Sequence, residues 1–333
     1  MNKDLRRTFS PPRERFVSIH RARKKVRFKE LLPPQSPDLA GMTDLHLHCS
    51  TGYQNEAFAT LQFAARCGMK GLMMKTYKQM KNPYTARDVG ELQTRLNEWC
   101  KVEKIPAPTV KAGYIYCHAP KEPDLKLLRQ NLEEGVQGVW LPFANALRSF
   151  MVIGPQPDSL PLSREEALAK GGLIVIDDNG ELKPEFKGAI ELIAEFDRSL
   201  HFGHRFHEEL YAAAKYGQQC GITRMIVDHP FSPFIDLTWE AMRTLAGYGV
   251  KFNFTYNEIS PVGGVDPQDI ADTIREIGVQ HFTLSSDAGD YLFPSSVECV
   301  RLLHETLRCY GLTDDDIRIA GSVNGSYILG LPA

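Results

Sequence analysis

Short apolar runs alternate with amphipathic stretches from Thr43 to the end of the chain. This alternation is typical of parallel β-strands joined by crossover helices. The strands are predicted at 43–48, 71–75, 110–117, 136–141, 199–204, 224–229, 250–256 and 281–287. Between them, helical periodicity predicts helices at 56–66, 86–104, 125–133, 206–220, 237–248, 267–277 and 295–309. Eight such units predict an α/β fold, a (β/α)8 barrel, which a chain of 333 residues accommodates.

One irregularity interrupts this order, a long stretch at 143–186 that follows the fourth strand. We interpret it as an inserted loop, with a small hairpin at 174–182 around the turn sequence Asp177-Asp178-Asn179-Gly180. Loops at the carboxyl ends of barrel strands build active sites. The insertion is therefore expected to act as a lid or a substrate-selecting loop.

Composition narrows the class of protein. The chain is 43% hydrophobic and 24% charged with a formal net charge of -2, which is typical of a globular protein and implies neither nucleic acid nor an anionic membrane as partner. Its seven cysteines are scattered without a Cys-x-x-Cys pair, which predicts reduced thiols. No apolar run reaches eighteen residues and no secretory signal is recognisable, so we expect a cytoplasmic protein.

The first forty residues differ from the rest in charge. Residues 1–40 contain eleven lysines and arginines against four acidic residues, interspersed with apolar side chains. We divide the chain into a basic N-terminal extension at 1–40 and a barrel at 41–333. The apolar content favours an arm that packs on its own barrel or on a neighbouring subunit of a homo-oligomer, and a free tail is the alternative.

The most specific chemical signal is a pair of histidines, His46 and His48, at the end of the first predicted strand. Side chains at i and i+2 of a strand face the same side, so both imidazoles are expected to point into the barrel. His204, His229 and Asp287 close the fifth, sixth and eighth predicted strands. Imidazoles and a carboxylate at one rim suit zinc, with manganese, iron or nickel as alternatives.

Other interpretations of these residues remain open. A single buried histidine is more often a hydrogen-bonded core residue than a ligand, and a strand-end cap is the alternative role for Asp287. His201 stands three residues before His204, and strand alternation predicts that it faces away from the site.

The order of these motifs resembles the amidohydrolase superfamily. The resemblance rests on His46-Leu47-His48 in strand one, His204 in strand five, His229-Pro230 in strand six and Ser286-Asp287 in strand eight, and it covers 41–333. Stretches 68–75 and 180–185 are similar to an uncharacterised subfamily. The closing segment 324–331 is also similar to that of amidohydrolases, with Gly325 in place of their usual proline.

The resemblance implies an enzyme, a metal-dependent hydrolase that uses metal-activated water on a C–N or C–O bond of a small molecule, such as an amide, cyclic amide or lactone. It implies that Asp287 accepts the proton of the water as a general base and returns it as an acid, with His229 beside the metal. A metal-dependent decarboxylase of a small carboxylate is one alternative. A non-catalytic binding or assembly protein is a second.

Lys75 bears on whether the site holds one ion or two. Two-metal amidohydrolases usually bridge their ions with a carboxylated lysine on strand four, but 138–142 contains no such group. Lys75 ends the apolar second strand at the depth of His48. It is interpreted as a bridging carboxylated lysine, as a cation that binds a substrate carboxylate, or as a lysine that extends to solvent.

Three further residues are predicted at the mouth of the barrel as substrate contacts. Glu258 follows strand seven, where its carboxylate is expected to contact substrate or orient a ligand histidine, or else to be a solvated loop residue. Trp140 and Tyr256 are predicted to supply an aromatic wall.

Overall fold

The computed structural model describes residues 39–49, 54–76, 84–117, 123–155, 160–289 and 293–332. Eight parallel strands pair in chain order from β1 to β8, and a backbone hydrogen bond from His48 to Ala288 joins the two ends. The predicted (β/α)8 barrel is confirmed. The strands are β1 Thr43–Cys49, β2 Gly71–Thr76, β3 Thr109–Ile115, β4 Gly138–Trp140, β5 Ser199–Phe202, β6 Met225–Asp228, β7 Val250–Thr255 and β8 Phe282–Ser285.

Thirteen α-helices lie among the described residues, and they include one at each of the seven predicted places. They are α1 Gln54–Arg66, α2 Ala86–Glu103, α3 Leu125–Glu133, α4 Leu147–Ile153, α5 Arg164–Ala169, α6 Pro184–Glu195, α7 His207–Gln219, α8 Trp239–Gly247, α9 Tyr256–Ile259, α10 Pro267–Ile277, α11 Ser296–Cys309, α12 Asp314–Arg318 and α13 Gly325–Leu329. A π-helix, Ile319–Asn324, separates α12 from α13. None of the described helices is both long enough and apolar enough to cross a membrane.

The apolar core forms two layers. Inside the barrel lie Leu45, Met73, Ile115 and Ile226, while a larger cluster fills the space between strands and helices. The closing segment packs beneath the strands, and a side chain at Gly325 would collide with the hydroxyl of Thr43. This contact leaves no room for a side chain at position 325.

The described residues of the insertion after β4 contain more helix than the sequence predicted. It contains two short helices, α4 and α5, that were not predicted, and the expected hairpin is reduced to a single antiparallel bridge between Ile176 and Leu182. Helix α4 escaped detection because its sequence LRSFMVI is apolar on most sides and lacks a polar face. Helix α5 begins with a capping box in which Ser163 and Glu166 satisfy each other's backbone N–H groups.

The predicted N-terminal arm falls almost entirely outside the described residues, which begin at Leu39. Its docking therefore stays a prediction.

Candidate metal centre

Three predicted site residues lie just beyond the strands that were expected to contain them. Strands β5, β6 and β8 end at Phe202, Asp228 and Ser285, earlier than the predicted ends at 204, 229 and 287. His204, His229 and Asp287 then have φ angles of 53°, 37° and 47°, a left-handed conformation that is uncommon outside glycine. Strand alternation does not continue through such turns, so the sequence periodicity could not place these side chains. Backbone strain of this kind tends to cluster at functional sites.

A compact group of three potential ligands lies at the carboxyl end of the barrel. The Nε2 atoms of His46 and His48 are 3.2 Å apart, and each lies 3.1 Å from Oδ1 of Asp287. Ligands bound at about 2.0–2.2 Å to a tetrahedral ion are about 3.3–3.6 Å apart. Among the described residues, these three are the ones whose ligand atoms meet closely enough to hold an ion, and their spacing is only slightly shorter than that of a bound tetrahedral set.

The other two predicted ligands line the same space. The ring of His229 lies 5.9 Å from that of His46 and 5.1 Å from that of His204, measured between centroids. Each has its Nδ1 atom against a serine hydroxyl, at 2.8 Å from Ser232 for His229 and at 2.7 Å from Ser149 for His204. All five predicted ligands therefore converge at one rim, although His204 and His229 stand outside the compact group.

Burial favours the neutral, metal-binding form of His46, His204 and His229. The pKa of His46 is lowered to about 4, because burial and the positive charge of Lys75 outweigh the opposing effect of Asp287 and Asp228. Burial, assisted by the positive charge of Lys75, also lowers the pKa of His204 and of His229. Neutral imidazoles at neutral pH offer a lone pair to a cation without first losing a proton.

A buried carboxylate that the sequence analysis missed, Asp228, supports the site from below. It accepts hydrogen bonds from Trp140 Nε1 at 2.6 Å and Asn253 Nδ2 at 2.8 Å, and its Oδ1 lies 3.2 Å from His46 Nδ1. Burial raises the pKa of Asp228, but His46 and His201 outweigh it and hold the pKa well below its usual range. The alternation of β6, with Ile226 and Asp228 on one face, was the signal for an inward carboxylate.

The predictions made for His201 and Trp140 are both wrong. His201 does not face away from the site, because its ring centre lies 3.9 Å from that of Trp140 and its Nδ1 lies 3.7 Å from Oδ2 of Asp228. Trp140 is fully buried beneath the histidines, where it supports Asp228 and forms no open aromatic wall. The prediction for His201 failed because it counted back from His204, beyond the end of β5.

Lys75 is buried beside the ligand group. Its Nζ lies 2.9 Å from His46 Nε2 and 4.5 Å from the ring centre of Phe143, and the residue is 2% exposed. The interpretation that Lys75 extends to solvent is therefore wrong. Burial lowers the pKa of its amine, partly offset by Asp228 and Asp287.

The two carboxylate oxygens of Asp287 have different partners: Oδ1 lies in the ligand group, and Oδ2 accepts a hydrogen bond from Asn257. Asn257, which the sequence analysis did not single out, donates from Nδ2 to Oδ2 of Asp287 at 3.0 Å. Burial opposes ionisation of Asp287, but His46, His48 and His229 hold its pKa well below the usual range. The side chain is therefore ionised and its Oδ1 is aimed at the histidines.

Glu258 and Tyr256 lie in helix α9, after β7. Glu258 is buried, and its two oxygens accept the backbone N–H groups of Phe231, two residues after His229, and of Thr255. These contacts favour a role in holding the His229 loop over the predicted substrate contact, and they exclude a solvated loop carboxylate. Tyr256 is half-buried with its ring 6.3 Å from that of Phe293, and no contact among the described residues joins it to the ligand group.

Comparison with known proteins agrees with this fold. A probable dipeptidase, PvdM, from Pseudomonas aeruginosa is 11% identical with a TM-score of 0.56, over 96% of this chain and 98% of that one. An amidohydrolase from the same organism is 12% identical with a TM-score of 0.54, over 88% and 98% of the two chains. An amidohydrolase from Burkholderia multivorans with bound zinc is 14% identical with a TM-score of 0.50, over 88% and 100%.

The chain has the same fold as these proteins. At such identities the likeness establishes the fold, as the sequence resemblance predicted. Residues 123–253 match a family described as one of unknown function, DUF6282, in line with the expected resemblance to an uncharacterised subfamily. No protein of curated function matches this chain by sequence.

Proposed function

We propose that this protein is a metal-dependent hydrolase of the amidohydrolase superfamily, acting on a C–N or C–O bond of a small organic molecule such as an amide, cyclic amide or lactone. The observation that carries the proposal is the compact group of His46, His48 and Asp287, whose ligand atoms lie 3.1–3.2 Å apart at the mouth of a barrel. Barrel enzymes place their active sites at this end.

These three residues would hold a divalent ion, with His204 and His229 completing the ligand set. Zinc suits the nitrogen and oxygen donors and is bound in one of the similar structures, while manganese, iron and nickel are the alternatives. A divalent ion there would polarise the bond under attack and acidify a water molecule.

Asp287 is suited to the proton transfers of such a reaction. Its low pKa keeps it ionised, and Asn257 holds Oδ2 so that Oδ1 faces the ligand group. A general base must lie within hydrogen-bond reach of the proton that it removes, and this orientation provides that reach. Asp287 would then return the proton to the leaving group.

Lys75 supports two versions of the site. As a carboxylated lysine it would bridge two ions, since Nζ is 2.9 Å from His46 Nε2. As a cation it would bind a substrate carboxylate, which favours the second candidate function, a metal-dependent decarboxylase. In support of that role, no carboxylate of the described residues forms an ion pair with Lys75, whose amine is buried at the site.

Metal analysis of matched variants tests the proposal. Wild-type protein is expected to contain one or two ions per chain, and His46→Gln and Asp287→Ala should lose them. His207→Gln is the control, because His207 lies near the site on α7 but its Nε2 contacts the carbonyl oxygen of Asp236 at 3.0 Å and no member of the ligand group. Metal that survives both site substitutions, or wild-type protein that takes up none when supplied, would refute the metal centre.

A substrate panel then separates the candidate activities. Hydrolysis of amides, cyclic amides or lactones that follows metal content supports the hydrolase, whereas metal-dependent release of carbon dioxide from small carboxylic acids supports the decarboxylase. Bound metal without turnover across the whole panel would favour the third possibility, a binding protein that retains the barrel.

A further inference from the structure

The insertion between β4 and α6 delivers a hydroxyl group to the site. Ser149 lies on α4 of the insertion, is fully buried, and has its Oγ 2.7 Å from Nδ1 of His204. The two residues are 55 positions apart in the sequence, so this contact exists because the insertion folds back over the end of β5.

The proton of the Ser149 hydroxyl is already used. It is donated to the carbonyl oxygen of Phe143, so the hydroxyl can only accept from the imidazole. His204 must therefore carry its proton on Nδ1, which leaves the lone pair on Nε2. The ring is also fixed in orientation, because it stacks on Phe234 at 3.8 Å with an interplanar angle of 15° and meets the edge of Phe143 at 5.2 Å.

A buried ion pair fastens the insertion to the segment that carries His204. Arg205, the next residue, is 1% exposed and pairs with Glu209 at 3.1 Å. Glu209 accepts the backbone N–H of Val175 at 2.9 Å, and Arg205 donates to the carbonyl oxygen of Pro142. Both ends of the insertion are thus held to the segment that follows β5, and this fixes the distance from the serine to the imidazole.

We propose that Ser149 is a positioning residue that selects the Nδ1–H tautomer of His204 and aims its Nε2 at the metal. The insertion is then a structural part of the metal centre in addition to any part it takes in substrate selection. This inference rests on the proposed function, since it takes His204 to be a metal ligand. Hydrogen-bond partners of ligand histidines fix tautomer and ring orientation, and their loss typically weakens metal binding by about 10–100-fold.

The test compares Ser149→Ala with a matched substitution elsewhere in the insertion. Ser163→Ala removes the N-cap of α5, which perturbs the insertion without removing a contact to His204. Ser149→Thr keeps the hydroxyl and serves as the rescue. Long-range 1H–15N correlation of the imidazoles in metal-free protein reports the tautomer, with His204→Gln providing the assignment, and zinc titration reports the Kd.

We expect His204 to be the Nδ1–H tautomer in wild type, to lose that preference in Ser149→Ala, and to regain it in Ser149→Thr. The Kd for zinc should rise about 10–100-fold in Ser149→Ala and change little in Ser163→Ala. An Nε2–H tautomer in the wild type, or an equal Kd in Ser149→Ala and wild type, would overturn the positioning role alone. Wild-type protein that binds none of zinc, manganese, iron and nickel would overturn the proposed function and this role together.

Discussion

Replacing Asp228 with asparagine changes one buried charge with almost no change in shape. In the wild type, Oδ2 accepts from Trp140 Nε1 at 2.6 Å, and Oδ1 accepts from Asn253 Nδ2 at 2.8 Å and faces His46 Nδ1 at 3.2 Å. An amide has one oxygen and one nitrogen. Whichever way the new side chain turns, its NH2 group meets the N–H of Trp140 or of Asn253.

The cost follows from these contacts. One buried donor loses its partner, which costs about 1–3 kcal/mol, and the remaining bond loses the strength that the carboxylate charge gave it. Removing the buried charge should not raise stability in compensation. His46 and His201 hold the pKa of Asp228 well below its usual range despite burial, so the folded protein favours the ionised form. Asp228→Asn should therefore lower the free energy of unfolding of the metal-free protein by about 2–4 kcal/mol.

Metal binding should weaken as well, because the substitution removes the carboxylate that faces His46 Nδ1. We expect the Kd for zinc to rise about 10–100-fold. Urea unfolding of the metal-free protein measures the first effect and zinc titration the second. Trp140→Phe is the control, since it removes the donor to Oδ2 but leaves the charge and the contact with His46, and it should reduce stability while leaving the Kd nearly unchanged.

The reasoning is refuted if Asp228→Asn binds zinc as tightly as wild type, or if Trp140→Phe weakens zinc binding as much as Asp228→Asn does. In either case, the charge of Asp228 would have no part in orienting His46.

Three further predictions concern other parts of the chain. If Lys75 bridges two ions, Lys75→Ala should reduce bound metal toward one ion per chain. If it binds a substrate carboxylate, the same substitution should leave the metal content unchanged and weaken substrate binding by about 2 kcal/mol. Normal metal content together with normal turnover would exclude both roles. Burial and nearby Arg308 lower the pKa of His304 to about 3. As the pH falls, His304 is therefore protonated in the unfolded chain before it is protonated in the folded chain. Below pH 6.5, His304 should therefore lower the free energy of unfolding of the metal-free protein by about 1.4 kcal/mol for each pH unit. Urea unfolding of His304→Phe should show a free energy of unfolding that falls less steeply with decreasing pH. Deleting residues 1–34 should lower the melting temperature or change the mass in solution if the basic arm docks, and a truncated protein that matches wild type in both would be evidence for a free tail.

Much of this architecture was decided by local sequence pattern. Alternating apolar runs and amphipathic helices set the eight βα units in order, because each strand and helix has to bury its own apolar face. Six glycines after helices mark the ends of those helices, and all six adopt positive φ: Gly68, Gly135, Gly221, Gly249, Gly278 and Gly311. His46 and His48 were placed together by the period of two along β1, and their Nε2 atoms do meet at 3.2 Å.

Tertiary structure decided what happens where the strands end. His204, His229 and Asp287 take left-handed backbone angles, and strand alternation carries no information about side chains beyond such a turn. For the same reason the inward position of His201 could not be deduced from its distance to His204.

The supporting contacts are long-range and leave no local pattern. Ser149 reaches His204 across 55 residues, Trp140 reaches Asp228 across 88, and Asn257 reaches Asp287 across 30. Ser149, Trp140 and Asn257 are common residue types. Each has a role at the site only because closure of the barrel places it against His204, Asp228 or Asp287. Periodicity reports which face of an element is buried, but it does not report which side chain from another element shares that space, so these contacts could be read only from the folded chain.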